Sequence, residues 1–159
     1  MCGIVGLFLK TPALEPHLGA LMAGMLSVMK DRGPDSAGFA IYRAPVPGQV
    51  KLTLRISAPG AAALAEDYQS RFAEAPTWTA HDSHLVMSVP AARETEVRAW
   101  LAARSGDVHI VGVGKRMEIY KEVGAPPDVA RRFGLAEMSG SHAIGHTRMA
   151  TESRVTSCW

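Results

Sequence analysis

The chain opens on a short β-branched apolar run, "GIVGLFL" from Gly3 to Leu9, which predicts a buried strand. Leu18, Leu21, Met22, Met25, Leu26 and Met29 then recur at steps of three and four residues, the spacing of one apolar helix face. Gly33-Pro34 within "KDRGPDSAG" stops that helix and opens a polar loop, after which "GFAIYR" reads as a strand. "APVPGQ" supplies a turn, and Val50, Leu52, Leu54 and Ile56 alternate with polar residues as a half-buried strand. The opening is therefore expected to be strand, helix, loop and hairpin.

The Ala-rich middle predicts a helix near Ala61 to Ala73, a strand at "HLVMSV", a helix from about Glu94 to Arg104 and a strand at "DVHIVGVG". These form an expected α/β insert at about 58–114. Beyond it, "RMEIYKEVG" reads as a strand and "PPDVARRFG" as a short helix with proline at its start and glycine at its end. "SHAIGHTRMA" reads as a closing strand.

Composition narrows the classes. The 159 residues fit one domain with a core of its own. Apolar residues are 47% and charged residues 20%, ordinary for a globular chain and unlike a disordered one. Net charge is +2, and Lys51, Arg71, Arg93, Lys115, Arg131 and Arg132 are scattered, so no basic stripe points to nucleic acid. The longest apolar stretch, Leu18 to Met29, is shorter than the roughly 20 residues that span a bilayer, so no membrane segment is expected. The first basic residue, Lys10, follows the first apolar run instead of preceding it, the wrong order for a secretory signal, and Cys2 stands where myristoylation needs glycine. Two cysteines at opposite ends, Cys2 and Cys158, fit a reducing compartment, so a cytoplasmic location is expected and a disulfide is not.

Two motif-like stretches fail on inspection. "GVGKR" has His109 where a phosphate loop needs its first glycine and Arg116 where it needs Ser or Thr. His81 and His84 lie three apart, but their segment reads as loop and a metal site needs further ligands that the neighbourhood lacks. No metal and no cofactor is expected.

Chemistry gathers in three stretches: "MCGIVG" at the start, "RGPDSAG" at Arg32 to Gly38, and "GHTRMAT" at Gly145 to Thr151. A thiol is nucleophilic as thiolate, and a free cysteine has a pKa near ~8.5, so Cys2 needs a base or a positive field. Removal of Met1 would free the α-amine of Cys2, whose pKa of roughly 7.7 to 8.0 suits it to take the thiol proton. Each residue also has a plainer reading: Cys2 as a small buried residue opening a strand, Arg148 as a surface ion pair, Arg32 and Asp35 as pins of a turn. His146 reads as a hydrogen-bonded structural residue.

Together and in this order, the three stretches resemble the class II, N-terminal-nucleophile glutamine amidotransferases. The segment "MEIYKEVG" and the spacing of the second and third stretches look most like the glutamate-synthase-like subunits, including that of N-methylglutamate synthase. The resemblance implies an α+β fold of the N-terminal-nucleophile type, an αββα sandwich, of which this chain holds the first part. It implies that Cys2 attacks the side-chain amide of glutamine, giving glutamate and ammonia through a cysteinyl thioester for synthase subunits that receive the ammonia. It assigns Arg148 to the substrate carboxylate and Thr151, with the backbone around Met149 and Ala150, to the same pocket. Arg32 and Asp35 fall in the loop that braces the pocket beside the nucleophile.

The sequence departs from that family at its far end. The family's Asn-Gly oxyanion pair and the Asp that holds the substrate ammonium lie downstream of the GHTR motif, whereas only eleven residues follow Arg148 here and the sequence contains no asparagine. The expectation is a C-terminally truncated, partial type-2 amidotransferase domain over 1–159, weakly active or inactive. The alternatives are a non-catalytic regulatory or interaction subunit that keeps part of the fold, and an unrelated α/β binding module.

Overall fold

A computed structural model describes residues 2–56, 60–104 and 106–149. In chain order its elements are β1 (Gly3–Phe8), α1 (Leu18–Val28), β2 (Ser36–Tyr42), β3 (Gln49–Ile56), α2 (Ala61–Phe72) and β4 (Thr77–His81). There follow β5 (His84–Pro90), α3 (Glu94–Ala102), β6 (Val108–Gly114), β7 (Met117–Val123), α4 (Pro126–Arg132) and β8 (His142–Arg148). The fold is α+β, with two four-stranded antiparallel sheets ordered β1-β8-β2-β7 and β4-β5-β3-β6. Contacts divide the chain into two units, Met1–Ala44 with Ile119–Trp159, and Pro45–Glu118.

In the first unit, period-2 alternation sends one set of side chains toward α1. Across β1, β8 and β2 the rows are Gly3, Thr147 and Ala37, then Val5, Gly145 and Phe39, then Leu7, Ala143 and Ile41. Leu18, Met22 and Leu26, four residues apart on α1, are fully buried. Gly145 makes room for Leu26, whose Cδ2 lies 2.7 Å from where a Cβ would stand. The buried stripe of α1 is narrower than the sequence pattern implies: Leu21 is exposed, and Met25 and Met29 are only half-buried. Phe39, Tyr120 and Phe133 form a ring cluster with centroids 5.0 to 6.1 Å apart. On the other face of this sheet Ile4, Phe8 and Ile144 are exposed.

The second unit runs β3-α2-β4-β5-α3-β6, a β-α-β-β-α-β arrangement of the ferredoxin-like kind. Its core joins Leu52 and Leu54 of β3 to Leu85, Met87 and Val89 of β5, with Leu64, Tyr68, Phe72, Val97 and Leu101 from the two helices. The predicted hairpin between β2 and β3 does not form. A strand has two edges, and those of β2 are taken by β8 and β7 while those of β3 are taken by β5 and β6.

Two more expectations change. β3 is buried on both faces from Val50 to Leu54, because Lys51 closes an ion pair with Glu118, its Nζ 2.7 Å from Oε1, and Thr53 is fully enclosed. The His81–His84 segment is not a loop. These residues end β4 and begin β5 as a directly paired couple around the Asp82-Ser83 turn, where Asp82 takes a positive φ of 49°. Aspartate tolerates that conformation better than most residues.

Lys51→Met, which leaves the Glu118 carboxylate buried opposite a methionine, is expected to cost about 3–5 kcal/mol in urea unfolding, and adding Glu118→Leu should recover most of the loss. Tyr68 has its hydroxyl pushed up to about 12 by burial and by the hydrogen bond it donates to Glu74 Oε1 at 3.1 Å. The folded value exceeds the unfolded one, so this stabilisation is complete below about pH 10 and is lost as pH rises through about 12. Unfolding monitored between those values should be markedly less pH-dependent in Tyr68→Phe.

Candidate functional site

β1 and β2 both run antiparallel to β8, which lies between them. The first residues of β1 and β2 and the last residue of β8 therefore meet at one end of one sheet. Cys2 precedes Gly3, whose cross-strand partner is Thr147. The next residue, Arg148, lies opposite Ser36, and Pro34 adds an isolated bridge to it. The Asp35 N–H donates to the Arg148 carbonyl at 3.1 Å, and the Asp35 carbonyl accepts from the Gly124 N–H at 2.9 Å. Four of the five residues singled out by sequence, Cys2, Arg32, Asp35 and Arg148, are thus gathered at one place, and the fifth, Thr151, lies outside the described residues.

The packing beneath them depends on two glycines, Gly3 and Gly33, to which the sequence reading gave no part in the site. A Cβ on Gly33 would stand 2.5 Å from the Arg148 nitrogen, 2.6 Å from the Thr147 carbonyl carbon and 2.7 Å from Thr147 Oγ1. The Arg32–Asp35 turn therefore lies directly on the backbone of β8. A Cβ on Gly3 would collide with the Met29 terminal methyl and stand 3.0 Å from Thr147 Oγ1 and 3.7 Å from Arg32 Cβ. The signal in the sequence was the glycine of "RGPDSAG", which lies between Arg32 and Asp35, but a glycine before proline reads first as a helix stop.

The thiol of Cys2 is free and exposed. Arg32 is exposed, while Asp35 and Arg148 are half-buried. From Ser36, opposite Arg148, an apolar groove of about 330 Å³ extends over β2, β7 and β8, with Lys121 and His146 among its lining residues. That volume is at the lower end of small-molecule pockets. Among the described residues no cluster of three His, Cys, Asp or Glu gathers to hold a metal ion, and no helix is long and apolar enough to cross a membrane.

Gly33→Ala is expected to lose about 1–3 kcal/mol in urea unfolding, because the added methyl meets backbone that cannot step aside. Gly24→Ala, at a position in α1 where a Cβ meets nothing within 4 Å, should instead gain about 0.5–1 kcal/mol.

No family model matches the chain. Among curated proteins it is 54% identical over 159 residues to the glutamine amidotransferase-like protein GlxB of Rhizobium meliloti (strain 1021), covering 98% of this chain and 52% of that protein. It is 30% identical over 165 residues to a protein of Methanothermobacter thermautotrophicus named "Putative glutamine amidotransferase", covering 98% of this chain and 54% of that protein. The chain thus spans about half the length of the curated relatives it matches, and over nearly all of its own length it is similar to proteins that carry the glutamine amidotransferase name.

Proposed function

We propose that the chain carries the nucleophile and the carboxylate clamp of a class II glutamine amidotransferase. The observation that supports this reading best is the meeting of Cys2, the Arg32–Asp35 turn and Arg148 at one sheet end, since the reaction needs a nucleophile beside a cation that holds the far end of glutamine. The names of the two relatives point the same way.

In this reading Met1 is removed and the α-amine of Cys2 takes the thiol proton. Sγ attacks the carboxamide carbon of glutamine, forming a carbon–sulfur bond and a tetrahedral oxyanion. The intermediate collapses as the carbon–nitrogen bond breaks, and ammonia departs with the proton held by the α-ammonium. Water then adds to the thioester and releases glutamate with the thiol restored. Arg148 binds the α-carboxylate through its guanidinium fork, Arg32 and Asp35 brace the pocket wall, and Thr151 lines it. The same reading carries the N-terminal-nucleophile sandwich as the fold, the glutamate-synthase-like subtype, a cytoplasmic setting and synthase subunits that consume the ammonia.

With no asparagine in the sequence, the side-chain oxyanion donor that the resemblance implies is not supplied by these residues.

Incubation with a glutamine-like electrophile followed by mass spectrometry is expected to place the adduct on Cys2 in a chain lacking Met1. Cys2→Ala should abolish it, and Arg148→Lys should raise the concentration for half-maximal labelling by about tenfold or more. An adduct that persists in Cys2→Ala, or a chain that retains Met1 and resists labelling, would overturn the catalytic reading and favour a non-catalytic interaction subunit.

A further inference from the structure

Thr147 is where the three segments of the candidate site touch. It is fully buried. It faces Gly3 of β1 on one side and Ala37 of β2 on the other, and the backbone of Gly33 packs onto it from the turn. The two glycines leave out the atoms that would stand 3.0 Å and 2.7 Å from its Oγ1. Its hydroxyl has no hydrogen-bond partner among the described residues.

A buried hydroxyl without a partner has given up its bonds to water for nothing in return. Hydrogen bonding among the described residues therefore does not explain the residue. Its shape does: a β-branched side chain restricted at χ1 is a stiff spacer of fixed thickness. Alanine, which lacks Oγ1, would be thinner between the two glycines, and serine, which keeps that atom, would lose the methyl that restricts χ1 and holds it there.

We propose that Thr147 is a positioning residue that sets, by shape alone, the spacing between Cys2 at the start of β1 and the Arg32–Asp35 turn lying on Arg148. The inference rests on the reading of Cys2 as nucleophile and Arg148 as carboxylate clamp. Thr147 itself touches no reacting atom. Its effect reaches the reaction through where the thiol stands relative to the guanidinium, a distance in which small errors are costly.

The test uses the full chain with three variants: Thr147→Val keeps the shape without the hydroxyl, Thr147→Ser keeps the hydroxyl without the methyl, and Thr147→Ala lacks both. Two quantities are read, the rate of Cys2 alkylation by iodoacetamide, which needs no carboxylate clamp, and the concentration of a glutamine-like electrophile for half-maximal labelling. Valine should match the wild type within about twofold in both, while serine and alanine should raise the half-maximal concentration at least about fivefold with little change in alkylation rate. Leu26→Ala, which opens the core beneath Gly145, should lower the melting temperature without that split. Valine as impaired as alanine would show that the hydroxyl is used, and alanine equal to wild type would show that no spacing is set; either overturns the inference. Wild-type chain that fails to label saturably on Cys2 would instead remove the amidotransferase reading, and this inference with it.

Discussion

The close approach of the Gly33 backbone to the Thr147–Arg148 peptide is the constraint on which the site depends. Without a Cβ at position 33, the turn after α1 can lie on the last residues of β8, and the Asp35 N–H reaches the Arg148 carbonyl. That contact decides where Arg32 and Asp35 stand. The same β8 residues hold the start of β1 through the Gly3–Thr147 pair, so Cys2 and the turn are referenced to one strand. Such a shared reference is what gives a site built from distant segments a reproducible geometry.

Strand direction does the remaining work. Because β8 lies antiparallel to both of its neighbours, residues 2, 35 and 148 come to one sheet end although over a hundred positions separate the last two. The interior unit Pro45–Glu118 enters after β2 and leaves within β7, which are adjacent strands in the sheet. An insertion between adjacent strands leaves the pairing of the surrounding sheet intact, since the two strands need only a connection and its length costs little. The insert's own core, centred on β3 and β5 under α2 and α3, is closed by residues of the same unit.

Much of the local structure was legible. The helix faces, the closing strand and the breaks at Gly33-Pro34 and Pro126 follow from periodicity and from backbone chemistry, which act within a few residues. What was not legible depended on partners. A run such as "VKLTLRIS" alternates toward one core, and nothing in it reveals that Lys51 finds Glu118 sixty-seven residues away and is buried by doing so. β4 was missed because "TWTAH" is short and polar on its exposed face, and its strand character comes from pairing with β5. The ordered motifs singled out Cys2, Arg32, Asp35 and Arg148, which the fold brings to one sheet end, yet the close packing of Gly3 and Gly33 against Thr147 depends on side-chain atoms that the two glycines lack.

By itself the sequence determined most of the element types, the cysteine at position 2, the arginine at position 148 and the lack of any asparagine. Each of these is a property of single residues or of short spacings. The tertiary structure alone decided which strands pair, that β2 and β3 part into different sheets, and that the start of β1, the turn at Gly33 and the end of β8 share one point. Those outcomes rest on edges that can be filled only once and on clearances of a few ångströms between segments far apart in the chain, quantities that periodicity does not encode.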